Sequence, residues 1–304
     1  MKNELRLNNV VVCDSWLTQR AYRAAYCDFL LPVTPGNLKN ALAEFAKEGP
    51  LGKYRGLRVS GIADLSFLSD FPDLLYLELV DQPKVKTAAL AELSNLRGLR
   101  IETPGSGIDF RWFPLLEVFV GDWHPDNQNM QQCRELRQLR AWNFKPKSKD
   151  LSELGGIVRL EWLALVKTNL QSLAGIETLE DLRYCEIAYA PELATLIALS
   201  AGQLQLRQFE LSHAKKIASY LPLADCRWLR HLKLSSCAPL ADLKWLRPLQ
   251  RLDFFSFVET PVLDSDLRPL LQLPELRYAG SMNKKQYNPR IDDLNEQLQA
   301  RFKS

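Results

Sequence analysis

The apolar residues of this chain keep neither a helical nor a strand period for long. In "LEWLALVKTNLQSLAGIETL", residues 160–179, leucine or isoleucine stands at positions 160, 163, 165, 170, 173, 176 and 179. The LxL core alternates as a short strand does, its leucines on one face and its intervening residues on the other. The later trio turns the chain back over the opposite side. The same phrase recurs along the chain. With the first residue of LxxLxL taken as position one, matches begin at Tyr54, Leu74, Leu96, Leu115, Leu136, Leu160, Leu182, Leu206, Leu229, Leu249 and Leu273, about 22 residues apart. In-phase recurrence on this scale marks an internal repeat. One such unit cannot enclose its own leucines and must bury them against its neighbours. At roughly 1.5–3 kcal/mol per buried leucine, stacking many units offsets the ordering entropy. Residues 87–96 read as a helical return segment and 175–181 as a short turn.

The repeat resembles the leucine-rich repeat family, and the phrase TNLxSLxxI at 168–176 is most similar to its short internalin-like class, of bacterial type. That resemblance implies an α/β fold: a single curved right-handed solenoid with ten or eleven strands in a concave parallel sheet and short helical or irregular convex segments. It covers residues 54–280. The sequence departs from the family at position nine. Many members place asparagine there, whereas this column reads Ile62, Gln82, Pro104, Trp123, Phe144, Thr168, Ala190, Ala214, Cys237 and Phe257. Irregular turns are therefore expected.

Terminal repeats expose core and need covers. Residues 281–304 are assigned to a C-terminal capping helix, with Asn288 as cap, Pro289 first, acids at Asp292 and Asp293, bases at Arg301 and Lys303, and Ile291, Leu294, Leu298 and Phe302 as one apolar stripe. Residues 1–53 are assigned to an N-terminal capping region. Within it, 37–49 reads as a helix with Leu38, Leu42 and Phe45 inward, and 4–31 as irregular strand or helix.

Composition changes this picture little. The 304 residues carry a net charge of +3, too small to argue for nucleic acid or an anionic membrane. No 18-residue apolar run offers a membrane span, and the start, MKNELRLNNV, has no apolar core of a secretory signal. A cytoplasmic protein is the expectation. The six cysteines, Cys13, Cys27, Cys133, Cys185, Cys226 and Cys237, form no CxxC pair and fit no zinc spacing, so reduced thiols are expected, with Cys185 a small core residue. No cofactor or metal is implied.

Function must then lie on the outward strand face, at positions three, five and seven. Position five reads Arg58, Glu78, Arg100, Phe119, Arg140, Ala164, Glu186, Glu210, Lys233, Asp253 and Arg277, mixed in sign, with no basic stripe for nucleic acid. Position three reads Gly56, Tyr76, Gly98, Glu117, Gln138, Trp162, Tyr184, Gln208, His231, Arg251 and Glu275. Large aromatics gather at Trp142, Trp162 and Tyr184 around small Ala164, flanked by Arg140 and Glu186, the composition of a binding hot spot. Phe119, His231 and Arg251 extend the candidate partner surface. The competing possibility is that these rings are covered by another part of the same chain. His213 and His231 lie near Glu210, Ser235, Ser236 and Asp253, but no nucleophile elbow, phosphate loop or HExxH accompanies them, and an enzyme is not expected. The family implies a protein-binding scaffold, in the form of a cytoplasmic adaptor, inhibitor or immunity-type protein. The competing class is a nucleic-acid- or ligand-dependent regulator.

Overall fold

The computed structural model describes residues 4–7, 10–13, 30–49, 52–201 and 204–302. Most of the expectation for 4–31, with Cys27, and the placement of Lys303 fall outside these residues. The chain divides into two compact units, residues 1–137 and 138–304.

In the first unit, β1 (Glu4–Leu7) and β2 (Val10–Cys13) pair antiparallel. A parallel ladder follows: β3 (Leu30–Val33), β6 (Gly56–Val59), β7 (Tyr76–Leu79), β8 (Gly98–Ile101) and β9 (Val118–Asp122), each bonded to the next in that order. Between β3 and β6 lies a small hairpin of β4 (Glu48–Gly49) and β5 (Gly52–Lys53). The second unit continues the pattern with β10 (Gln138–Trp142), β11 (Trp162–Val166), β12 (Tyr184–Ala188), β13 (Gln208–Ser212), β14 (His231–Ser235), β15 (Phe254–Ser256) and β16 (Tyr278–Gly280), all parallel neighbours. The repeats are thus twelve parallel strands of a leucine-rich-repeat solenoid, one more than the pattern predicts. The added strand, β3, lies inside the stretch assigned to N-terminal capping.

From β6 onward each coil returns through a single 3₁₀ turn, such as Thr87–Glu92, Ile176–Thr178 or Leu221–Asp225. Such tight turns suit the short distance to be covered. Inward positions four and six are sealed: Leu57, Val59, Leu77, Leu79, Leu99, Ile101, Leu163, Leu165, Leu232 and Leu234 are fully buried. Cys185 takes such a position opposite Leu163 and is buried as expected.

Three repeats are in a different frame from the one the sequence suggests. In β9, Phe119 pairs with Leu99, so it is a fully buried core residue and not an outward one. Val118 and Val120 take positions three and five on the strand face instead, where both are buried. The slip arises because position six there is Gly121, where a Cβ would strike the Ile101 carbonyl oxygen, and the misaligned Val118–Val120 pair imitates a strand core. In β15 and β16, Phe254 and Tyr278 align with His231 at position three. The sequence frame sits three residues early, because Leu246, Leu249, Leu252 and Phe255 are all spaced by three and offer equivalent starts. Asp253, Arg277 and Glu275 consequently leave the outward columns, and Arg251 precedes its strand.

At position nine, where the sequence lacks the family's asparagine, its role is filled piecemeal. Gln82 Oε1 accepts from the Ile62 N–H at 2.8 Å, and Thr260 Oγ1 accepts from the Cys237 N–H at 3.1 Å while donating to the Leu234 carbonyl at 3.0 Å. Phe144, Ala190 and Ala214 fill the column with apolar bulk. Position eight is left-handed in many repeats: Asp81, Asn143, Lys167, Tyr189, His213, Ser236 and Glu259 have φ between 50° and 59°. Non-glycine residues resist this geometry. It is held by bonds to the next coil, such as Lys167 N–H to Ala188 O at 2.9 Å and His213 N–H to Ser235 O at 3.0 Å.

The helix expected over 37–49 is shorter, with a 3₁₀ turn at Leu38–Asn40 and an α-helix at Ala41–Phe45. Its buried residue is Ala41; Leu42 is exposed, and half-buried Phe45 meets Phe71 edge-on at 5.3 Å. At the far end the helix Ile291–Ala300 carries Ile291, Leu294 and Leu298 inward, as the stripe predicts, with Asp292 and Asp293 in its first turn. Phe302 is exposed, beneath the Arg277 guanidinium at 4.7 Å, and Asn288 caps nothing; its backbone bonds Ser265 and Leu267 instead.

Candidate partner-binding face

In the second unit, the pairing brings together the central residues singled out from the sequence. Gln138, Trp162 and Tyr184 are adjacent at position three, Arg140, Ala164 and Glu186 at position five, and Trp142 beside Val166 at position seven. Arg140 lies over the Trp142 ring, 4.8 Å from its centroid. Trp162, although it shares this face, is only 7% exposed. It is therefore packed among its neighbours and is not a free anchor. Tyr184, Trp142, Arg140 and Glu186 remain half-buried.

The mixed signs of position five resolve into pairs of unlike charge. In the first unit Arg58 Nε sits 2.6 Å from Glu78 Oε2; in the second, Lys233 Nζ sits 3.2 Å from Glu210, which also accepts from Gln208 Nε2 at 2.5 Å. Arg140 and Glu186 are separated by a whole strand, with only the small, buried Ala164 between them at position five. Burial pushes the Glu186 carboxyl up to about 7, against the attraction of Arg140, and Glu210 adds to the upward push. Burial likewise lowers Arg140, opposed by Glu186.

The sign of the resulting pH dependence follows. A carboxyl whose folded pKa lies above its unfolded value binds its proton more tightly in the folded state. Its contribution is fully present below about 4.5 and is lost as pH rises towards about 7. The loss amounts to about 3 kcal/mol at 1.36 kcal/mol per pKa unit. Glu186→Gln should flatten that segment of the stability–pH curve and raise the denaturant midpoint at pH 8 relative to wild type. A wild-type curve that does not fall between pH 4.5 and 7 more steeply than the variant's would contradict it.

A second group of rings lies farther along the same face, where the sequence frame had slipped. His231, Phe254 and Tyr278 stack across β14, β15 and β16, with centroids 5.5 and 5.4 Å apart. Tyr278 is 45% exposed, and Val258 and Met282, at position seven just beyond the ends of β15 and β16, are exposed too. Arg251 is not part of this row. It stacks on Trp228 at 3.9 Å, each residue standing just before its repeat's first leucine, at the edge where the chain enters the strands. The position-three periodicity would have found Phe254 and Tyr278 had the repeat start been set by its distance from Leu229 rather than by the first available leucine.

The polar residues near the two histidines do not converge on one relay. His231 Nε2 is 3.6 Å from Asp253, His213 lies flat on Tyr189 at 4.1 Å, and Ser236 donates to Glu259. Cys133, Cys185, Cys226 and Cys237 are buried free thiols, and burial raises each of them, Cys133 and Cys226 to about 12. Among the described residues no helix is long and apolar enough to cross a membrane.

No family model matches the sequence, and no curated protein does. Solved structures do match. An internalin, InlF, from Listeria monocytogenes aligns over 91% of this chain and 86% of its own with a TM-score of 0.56 and 15% identity. The functional domain of InlJ from the same organism aligns over 73% of this chain with a TM-score of 0.52 and 15% identity; this chain spans 46% of its length. At that identity the likeness is one of architecture, and it agrees with the strand ladder, the repeat length and the 3₁₀ returns: the fold of this protein is the leucine-rich-repeat solenoid seen in the internalins.

Proposed function

We propose that the protein is a non-enzymatic scaffold that holds a partner protein against the strand face of its second unit. The observation that carries this reading is the ring row His231–Phe254–Tyr278 on three parallel strands, with exposed Val258 and Met282 in the segments just beyond β15 and β16. Large aromatics fixed on strands present contact area at little entropic cost, and half-exposed ones lose water when a partner covers them. The paired charges Glu210–Lys233 and the Arg140–Glu186 set flank that row and would orient a partner more than bind it. Trp142 and Tyr184 extend the contact area, while Trp162 packs beside Tyr184 on the same face.

The form of action we favour is that of a cytoplasmic inhibitor or immunity-type protein, which occupies a partner by surface alone. Buried free thiols, Cys133, Cys185, Cys226 and Cys237, suit a reducing compartment. The test is affinity capture from the native source with wild type and Phe254→Ala/Tyr278→Ala side by side. One protein should be retained by wild type and lost from the double variant at equal folded content. Retention of the same proteins by both would place the interface elsewhere.

A further inference from the structure

At the opposite edge of the same strands, where the chain leaves β10 to β13, the position-eight and position-ten residues of successive repeats line an open, shallow cavity of about 600 Å³. The left-handed turns described above build it. They swing Lys167, Tyr189 and His213 outward, while Lys145, Pro191 and Lys215 stand two residues further on in their own repeats or the adjoining ones. Its walls are the stacked Tyr189–His213 rings, 4.1 Å apart, the Pro191 ring and the aliphatic stems of the lysines. Tyr189 is 49% exposed, so a ring face remains open. The charge at the rim is one-sided. The only carboxylate in the lining, Glu192, is already engaged by Lys216 at 2.7 Å, whereas Lys145, Lys167 and Lys215 bring three ammonium groups to one opening. The neighbouring loop adds Lys147 and Lys149.

We infer that this cavity receives an acidic peptide segment of a partner protein, with one aromatic side chain seated against Tyr189 and Pro191 and flanking carboxylates held by Lys145, Lys167 and Lys215. An open apolar groove with cationic corners has the complementary form of such a segment. A cavity of this size takes one large side chain with its neighbours, not an extended chain. Lysine supplies point charges on flexible stems, which suits several carboxylates of loose geometry better than a single bidentate one. A continuous nucleic-acid track would call for cations along several coils of the sheet face, where the charges are instead paired with one another. The inference rests on the protein-binding reading but concerns a different surface, and the two fail separately.

The probe is a fluorescent random glutamate–tyrosine copolymer, followed by anisotropy at low and moderate salt, with polyglutamate and a single-stranded RNA oligonucleotide in parallel. The copolymer should bind wild type more tightly than polyglutamate does, and added salt should weaken it. Charge reversal at Lys145, Lys167 and Lys215 should reduce its affinity at least tenfold, as should Tyr189→Ala, while Phe254→Ala/Tyr278→Ala should leave it unchanged. The lysines are exposed, so the triple variant should fold, and its thermal midpoint checks that. Absence of copolymer binding, equal binding by the triple variant, or RNA bound more tightly than copolymer and lost in the same variants would overturn the assignment. None of those results bears on capture of a partner by the ring row.

Discussion

Removal of residues 288–304 should lower the thermal midpoint sharply and start fraying at β16. The helix Ile291–Ala300 buries Ile291, Leu294 and Leu298, together roughly 5–9 kcal/mol by the usual value per buried side chain. Burial is half of its role. Asn295 closes the edge strand, its Oδ1 accepting from the Ala279 N–H and its Nδ2 donating to the Ala279 carbonyl, both at 2.9 Å. An uncovered parallel edge would otherwise expose those groups to any passing chain. Arg301 donates to the Leu273 and Leu271 carbonyls of the return segment. In a one-dimensional stack the loss of an end unit destabilises its neighbours first, so hydrogen exchange should quicken in β16 and β15 well before β11. An unchanged midpoint in the truncated chain would show that the helix is not a cover. A milder variant, Asn295→Ala, should show increased self-association without losing the helix.

Trp162→Ala should be the most damaging single substitution on the strand face. The side chain is almost fully buried between Gln138 and Tyr184, although it leaves the leucine core behind it. Emptying a covered site of that volume costs about 3–5 kcal/mol in protein interiors. Tyr184→Ala, half-exposed one strand away, should cost much less. Chemical denaturation of the two variants decides the matter: a Trp162→Ala midpoint equal to wild type would mean that the ring is surface and available to a partner.

The contrast between these two neighbours shows where sequence reading worked and where it stopped. The leucines gave the repeat, the parallel strands and the direction of each side chain, because burial of positions four and six follows directly from the period. Leu163, Leu165, Leu232 and Leu234 lie where the pattern puts them. Direction is not exposure, however. Whether Trp162 is covered depends on the bulk of side chains one strand away, at separations of 22 and 24 residues that no local pattern encodes. Frame errors had a different cause. Around Leu246–Phe255 the return segment and the strand share a three-residue spacing, so leucines alone cannot mark the strand's start, and half-buried Phe254 and exposed Tyr278 are hidden among core positions. Gly121 had the opposite effect by removing an expected leucine. The cavity around Tyr189 was out of reach for a third reason: it is made by backbone handedness at position eight, in residues as unlike as lysine, tyrosine and histidine, and only the fold reveals that they share one conformation.

The weight of the candidate interface therefore lies further along the second unit, away from the covered Trp162 and towards half-buried Phe254 and exposed Tyr278. The paired charges between them account for a face that is polar in composition yet nearly neutral in effect.

The most direct measurement is calorimetric titration of the captured partner into three purified proteins: wild type, Phe254→Ala/Tyr278→Ala, and Trp228→Ala at the entering edge. Loss of two central aromatics should weaken binding by about 2–4 kcal/mol, or roughly thirty- to a thousandfold, whereas Trp228→Ala should bind as wild type does. Equal affinity for all three, with folding intact, would contradict the account.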